Sequence, residues 1–262
     1  MFLKAKKSLG QNFLTDENTI EKIINLIEIT NRNILEVGPG RGSLTKKIIA
    51  KNPSNLVLVE KDKELYENLK IYQSENIEVK NEDILKFNLE NRYKEKFIVF
   101  GNLPYNISTE IICNWIINLG VKTWFSDLIL MFQKEVADRI IAKQNEKNYG
   151  RLSIISQWRL DIEKKFDVSP NCFSPKPKVI SSILHFKNKT NYLQIQNPRS
   201  LEVVTRVFFN QRRKMIKNPI KQLFPNFEQI KDKLHLDLNL RPQNLSIETF
   251  LYLTREYEKL RN

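Results

Sequence analysis

Asn102-Leu103-Pro104-Tyr105 is a run of residues suited to holding a flat base that carries an exocyclic amine. An amide oxygen and neighbouring backbone carbonyls accept hydrogen bonds from such an amine. Pro104 sets the turn, and Tyr105 offers a ring face for stacking. The run follows Phe97-Ile98-Val99-Phe100, an apolar stretch that reads as a buried strand. An open α/β sheet places its chemistry there, at the carboxyl end of a strand. A strand-ending turn with a buried tyrosine would look the same in isolation, so the surrounding residues must decide.

A second group lies upstream. Ile34-Leu35-Glu36-Val37 runs into Gly38-Pro39-Gly40-Arg41-Gly42, and helical spacing resumes at Ser43. A strand, a glycine-rich turn and a helix can cradle a nucleotide-like ligand, because glycine lets the backbone approach without a Cβ in the way. The pattern Glu36-x-Gly38-x-Gly40-x-Gly42 lacks the third glycine spacing of the dinucleotide fingerprint, with Ser at 43. A tight strand-to-helix turn explains it equally well. Two acids add weight. Glu60 ends the next strand, 22 residues after Gly38, where an acid can accept from both ribose hydroxyls. Asp83 follows the third strand and could accept from an adenine amine. With the glycine turn, these acids suit a ligand that has a ribose and an adenine but no pyrophosphate, such as S-adenosylmethionine.

Methyl transfer to an aromatic amine would then rest on position. Hydrogen bonds from the amine to Asn102 Oδ1 and to the Leu103 carbonyl would favour a pyramidal nitrogen with its lone pair aimed at the methyl group. The proton leaves a cationic product, so no strong base is needed. The chain's two histidines, His185 and His235, are far from the motif in sequence. Tyr105 is one stacking partner for a base drawn out of its helix. Phe173, in Phe173-Ser174-Pro175-Lys176-Pro177, is a candidate for the other. On spacing alone it reads rather as an apolar anchor in a polyproline-like segment.

The elements that must hold these residues alternate. Ile20, Ile23, Ile24 and Ile27 follow helical spacing behind a Thr15-Asp16 cap. Strands are predicted at 34–37, 56–59, 77–79, 97–100 and 128–132. Helices are predicted from 43, over 62–70, from 108 and over 134–143. Arg151 to Trp158 fits helix or strand, and helix is expected. Two strands, around Lys164–Val168 and Ser182–Phe186, are joined by the Pro-rich stretch Ser169 to Lys178, too tight for a helical crossover. They are expected as an antiparallel pair at the sheet edge. The alternation argues a doubly wound α/β sheet. Beyond His185 the periodicity turns helical, so a domain boundary is expected near 188. It would separate a catalytic domain, 1–188, from a small all-helical C-terminal domain, 189–262.

The 262 residues include 41% apolar and 28% charged residues, enough for a globular core. No apolar stretch approaches the roughly 20 residues that span a bilayer. The N-terminal segment lacks a signal-peptide core, so a cytoplasmic protein with no membrane partner is expected. Cys113 and Cys172 make no disulfide framework or metal spacing, and no metal is expected. Net charge is +13, and the last 74 residues carry 14 Lys and Arg against 7 Asp and Glu. That excess points to a polyanionic partner, though a Lys-rich surface from a biased genome would also produce it.

Taken together, the segments resemble the bacterial small-subunit ribosomal RNA adenine dimethyltransferases, the kasugamycin-sensitivity enzymes. The resemblance runs through Lys7 to Leu14, Glu36 to Gly40, Gly101 to Ser108, Gln133 to Val136, Tyr149 to Ser153 and Phe173 to Val179. It continues at Phe209-Asn210-Gln211-Arg212-Arg213-Lys214. It implies a Rossmann-like S-adenosylmethionine-dependent methyltransferase sheet with a helical C-terminal domain. It also implies dimethylation of N6 on two adjacent adenines in the 3′-terminal hairpin of 16S rRNA, late in small-subunit assembly, by a monomer acting on a subunit precursor. From the resemblance alone come cofactor contacts at Asn12 and Leu14, beside Gly38, Glu60, Asp83 and Asn102. Arg41-Gly42-Ser43 departs from the family, which often has a small or apolar residue after the second glycine. The rival expectations are a macrolide-resistance enzyme acting on large-subunit rRNA, a DNA adenine methyltransferase, and an assembly scaffold on the same fold.

Overall fold

The computed structural model describes residues 5–6, 10–87, 95–119 and 123–261. Lys7, Ser8 and Leu9 of the N-terminal motif lie outside the described residues. In chain order the elements begin with β1 (Phe13–Leu14), α1 (Glu17–Ile24), β2 (Asn33–Val37), α2 (Ser43–Ile49), β3 (Asn55–Val59), α3 (Lys63–Leu69), β4 (Ile77–Lys80) and β5 (Phe97–Asn102). There follow α4 (Ser108–Ile117), β6 (Phe125–Gln133), α5 (Lys134–Ile141), α6 (Arg151–Arg159), β7 (Leu160–Val168), β8 (Phe173–Ser174) and β9 (Ser181–Asn188). The last helices are α7 (Pro198–Phe209), α8 (Lys217–Leu223), α9 (Phe227–Lys233) and α10 (Ile247–Lys259).

Seven strands form one sheet in the order β4-β3-β2-β5-β6-β9-β7. β4, β3, β2, β5 and β6 pair in parallel, and β9 runs antiparallel to β6. The order reverses between β2 and β5, the switch point beside which open α/β sheets bind ligands. The chain is therefore an α/β protein with a methyltransferase-type sheet. Leu56 to Val59 of β3 is an unbroken apolar run, and Ile34 to Val37 of β2 is interrupted by Glu36 alone, because both strands are buried on both faces. On one face Ile34, Leu56, Leu58, Ile98, Phe100, Ile129 and Met131 pack with Ile20, Ile23 and Ile24 of α1 and Leu44 and Ile48 of α2. α1 starts where expected, with Asp16 accepting from the Thr19 amide at 2.8 Å.

β7 starts at Leu160, directly after α6 and four residues before the expected strand. It is the outermost strand, and its residues between Leu160 and Val168 are exposed or half-buried. A sheet edge tolerates the charges of Asp161-Ile162-Glu163-Lys164-Lys165, which hid the strand in the sequence. β1 and β8 form a separate two-residue ladder, Phe13 opposite Ser174 and Leu14 opposite Phe173. No sequence periodicity shows over two residues.

The chain gathers into two compact units. One holds the described residues within 1–114, 119–137 and 162–188; the other holds 115–118, 138–161 and those within 189–262. The second unit packs Leu201, Val204 and Phe208 of α7 with Phe250, Leu253 and Tyr257 of α10 as buried residues. Phe208 and Phe250 meet edge to face at 5.4 Å. The buried Glu258 carboxylate accepts from the Gln196 and Asn197 amides at 3.0 and 2.8 Å, closing the start of α7. Among the described residues of 189–261 no strand occurs. No helix among the described residues is long and apolar enough to cross a membrane.

Gly101 shows how tightly the sheet supports the turn that follows β5. A Cβ there would stand 2.9 Å from Leu103 Cδ2 and 3.2 Å from Leu130 Cδ2, and both leucines are buried. Gly101→Ala is expected to cost about 1–3 kcal/mol through overpacking. Chemical denaturation would show a lower midpoint at unchanged slope, and an unchanged midpoint would refute the tight fit.

Candidate active site

One cavity lies along the carboxyl ends of β2, β3 and β5. Its wall is built from residues 10–14, the 38–41 turn with Ser43 and Leu44, Glu36, Glu60, Lys61, Leu65 and residues 102–107. Seven sequence-predicted residues fall on this wall: Asn12, Leu14, Gly38, Glu60, Asn102, Leu103 and Tyr105.

The glycine turn is shaped by close approach. Gly40 has φ +59°, and a Cβ there would stand 2.9 Å from Phe13 Cδ1. Phe13 thus sits where a side chain at 40 would be, and the Arg41 guanidinium lies 4.4 Å from the centre of its ring. At Gly38, φ +64°, a Cβ would meet only the Asn102 carbonyl at 3.9 Å, so the missing side chain leaves room in the cavity.

Three acids stand behind this turn. Glu60 is 6% exposed; its Oε2 accepts from the Gly40 amide at 3.0 Å and its Oε1 from the Asp62 amide at 2.9 Å. A carboxylate offers about four lone-pair positions, and with the Gly40, Asp62 and Lys61 backbone amides bearing on it, room remains for a hydroxyl donor. Burial pushes the Glu60 carboxyl up, opposed by those amide bonds. Asp62 caps α3 and receives Lys6 Nζ and Gln11 Nε2, both at 2.9 Å, tying the N-terminal segment to the sheet. Glu36 is 1% exposed and accepts from Thr45 Oγ1 at 2.6 Å. Burial first, then the nearby Glu60 charge, push its carboxyl up to about 8.

Asn102 is held from outside its own turn. Its Nδ2 donates to the Asn12 carbonyl at 2.8 Å, which leaves Oδ1 as the acceptor. Leu103 is buried against Gly101, so the turn presents its backbone rather than this side chain. The Tyr105 hydroxyl meets Ser181 Oγ at 2.5 Å.

Two predicted residues lie off the wall. Asp83 is tied to Lys61 Nζ at 2.8 Å and accepts from the Leu85 amide at 3.1 Å; the Lys61 bond holds its carboxyl below the usual range. It stands one ion pair behind the cavity. Phe173 is buried in the core beside Leu14, its β1–β8 partner. In this arrangement its ring is the apolar anchor that its spacing suggested, and it does not face the cavity.

Sequence reasoning missed Glu36 as a working residue, although an acid inside an apolar strand was a visible signal. It also missed Lys61, Gln11 and Ser181. Ser181 lies 76 residues from Tyr105 and carried no local signal. His185 pairs with Asp127 at 2.8 Å between β9 and β6, outside the cavity wall. Among the described residues no group of three or more His, Cys, Asp or Glu could hold a metal.

A Rossmann-like sheet, a glycine cradle backed by a buried acid, and an Asn-Leu-Pro-Tyr turn define a methyltransferase that uses S-adenosylmethionine. The sequence profile of the ribosomal RNA adenine dimethylase family matches residues 2–259, and the chain belongs to that family. A curated relative from Pelagibacter ubique, "Ribosomal RNA small subunit methyltransferase A", is 52% identical over 261 residues and covers both chains fully. A dimethyladenosine transferase from Plasmodium falciparum superposes with TM-score 0.80 at 26% identity, covering 94% of this chain and 98% of that one. The 23S rRNA methyltransferase ErmE superposes with TM-score 0.67 at 25% identity, covering 96% and 100%.

The pressed-up Glu36 carboxyl has a measurable sign. Its folded pKa, about 8, lies above the ordinary 4.5, so its contribution to stability falls as pH rises between those values and levels off beyond. Glu36→Gln cannot ionise. Without cofactor, the variant's melting temperature is expected to gain on wild type from pH 5 to about pH 8 and then hold level. Melting curves at three pH values would check this, and a constant gap would refute it.

Proposed function

We propose that the chain dimethylates N6 of two adjacent adenines in the 3′-terminal hairpin of 16S rRNA, within a precursor of the small ribosomal subunit. The Asn102 amide is the observation that carries the reading: its Nδ2 is committed to the Asn12 carbonyl, which leaves Oδ1 to accept from an amine. The small-subunit target is supported by the name of the 52%-identical relative.

S-adenosylmethionine, when bound, supplies a methyl group on a sulfonium sulfur. Glu60 would hold the cofactor's ribose by accepting from its hydroxyls. Asn12, Leu14 and Gly38 shape the wall around the cofactor. Asp83, already bonded to Lys61 and to the Leu85 amide, would use a remaining lone pair to accept from the cofactor's adenine amine. Asn102 Oδ1 and the Leu103 carbonyl take the target amine's hydrogens, and the Tyr105 ring stacks on the base. Neither histidine serves as a base, and the proton leaves a cationic product to water. This is catalysis by orientation and fixed dipoles. Phe173, buried beside Leu14, would join as a second stacking ring only with its side chain turned out of the core.

The catalytic domain in this reading is 1–188 and the helical RNA-facing domain 189–262. The enzyme acts as a cytoplasmic monomer. Within the tail segment, Arg212 bonds to the Lys147 carbonyl and to Gln243 Oε1, whereas Arg213 and Lys214 are exposed. The exposed pair, rather than Arg212, suits phosphate.

Transfer of tritium from labelled S-adenosylmethionine to unmethylated small subunits, with large subunits and duplex DNA alongside, tests the reading. Label is expected as N6,N6-dimethyladenosine in 16S rRNA alone. Label in large-subunit RNA would overturn the target, and none in any substrate would overturn the activity. Asn102→Ala is expected to lower the rate by at least about a hundredfold, the scale of losing one fixed transition-state contact, with cofactor affinity nearly unchanged. Wild-type turnover would remove Asn102 from its role. Replacing Arg213 and Lys214 by alanine should flatten the slope of log K against log salt for RNA by about 1–2, and an unaltered slope would point to another RNA face.

A further inference from the structure

We propose that Ser181 is a positioning residue for the target base, acting through the Tyr105 hydroxyl to hold the stacking ring at a fixed angle to the cavity. The inference rests on the base-methylating reading above.

Tyr105 leaves β5 on an irregular turn, three residues before α4 begins. Its backbone alone does not set the plane of its ring, because χ1 and χ2 still rotate. Ser181, by contrast, is rooted in the sheet. It opens β9 opposite Gln133 of β6, and the residue before it, Ile180, accepts from the Lys134 amide at 2.9 Å. Ser181 is fully buried, and its Oγ stands 2.5 Å from the Tyr105 hydroxyl, the short end of the O–H···O range. Burial also pushes the Tyr105 phenol up, so it stays protonated and keeps this bond near neutral pH.

The tether has a chemical consequence. With its hydroxyl bonded to Ser181, Tyr105 offers the base chiefly its ring face. The ring is anchored at its far end by β9 and at its near end by the turn after β5. A base stacked on it therefore takes its plane from the sheet. Asn102, three residues earlier, is aligned independently by the Asn12 carbonyl. The amine is located by one anchor and the ring plane by the other. A tilt of that plane would carry the nitrogen lone pair away from the methyl group without touching the cofactor.

The test is a double-mutant cycle. Ser181→Ala and Tyr105→Phe each delete one hydroxyl, keep the ring and add no atoms. Single-turnover methylation of unmethylated small subunits is measured for wild type, both single variants and the double variant, with cofactor Kd by calorimetry. Each single variant is expected to slow transfer about threefold to tenfold, with Kd within twofold of wild type. The double variant is expected to be no slower than the slower single. Single variants at wild-type rate, or a double loss equal to the product of the two, would overturn the tether. A parallel rise in cofactor Kd would also overturn it, since it would mark general loosening. If wild type transfers label and Ser181→Ala matches it, only this inference fails. If wild type transfers none, the functional reading falls and this inference with it.

Discussion

The hydrogen bond from Asn102 Nδ2 to the Asn12 carbonyl joins the two parts of the chain that the site needs. It closes the N-terminal segment onto the turn after β5, so one bond completes the cavity wall and fixes which face of the amide is the acceptor. Other features support that closure. Gly40 makes room for Phe13, the β1–β8 ladder holds Leu14, and Asp62 ties down Lys6 and Gln11. An untied amide could present either its NH2 or its oxygen to a base, and only the oxygen suits an exocyclic amine.

Electrostatics sort the site into two halves. On the β2–β3 side, Glu36, Glu60 and Asp62 gather within a protein of net charge +13. Their proximity is tolerable because Glu36 is buried deeply enough to hold its proton near neutral pH, while Glu60 and Asp62 are bonded by amides and cations. On the β5 side, among the described wall residues 102–107, the titratable side chain is a phenol pushed upward by burial. A neutral, hydrogen-bond-accepting surface suits an amine that must lose a proton only after it has reacted. The acids gather by the glycine turn, the amide and carbonyl dipoles by the turn after β5.

The sheet converts distant sequence into this arrangement. β2 and β5 are adjacent and parallel, with Val37 opposite Gly101, so the glycine turn and the Asn-Leu-Pro-Tyr turn leave the sheet side by side. β9 returns antiparallel through β6 and brings Ser181 level with Gln133, beside the same edge of the sheet. Neither relation needs a long-range electrostatic pull. Register follows from burying alternate apolar residues on both faces, where a one-residue slip would turn Glu36 and its neighbours the wrong way.

What was legible in the sequence is what short-range chemistry writes. Apolar runs ending in Gly38, Glu60 and Asn102 announced β2, β3 and β5 and the residues at their carboxyl ends. Helical spacing announced α1 and the helices after 189, because periodicity and turn chemistry are local. Ordered motifs along the chain carried the family. Tertiary structure decided the rest. It placed Asp83 behind Lys61 and Phe173 in the core, since a side chain's direction depends on which strands pair. It pushed the Glu36 carboxyl upward, since burial is a property of the packed sheet and not of a tripeptide. It brought Ser181 to Tyr105 across 76 residues, a contact that exists only because β9 runs back along β6.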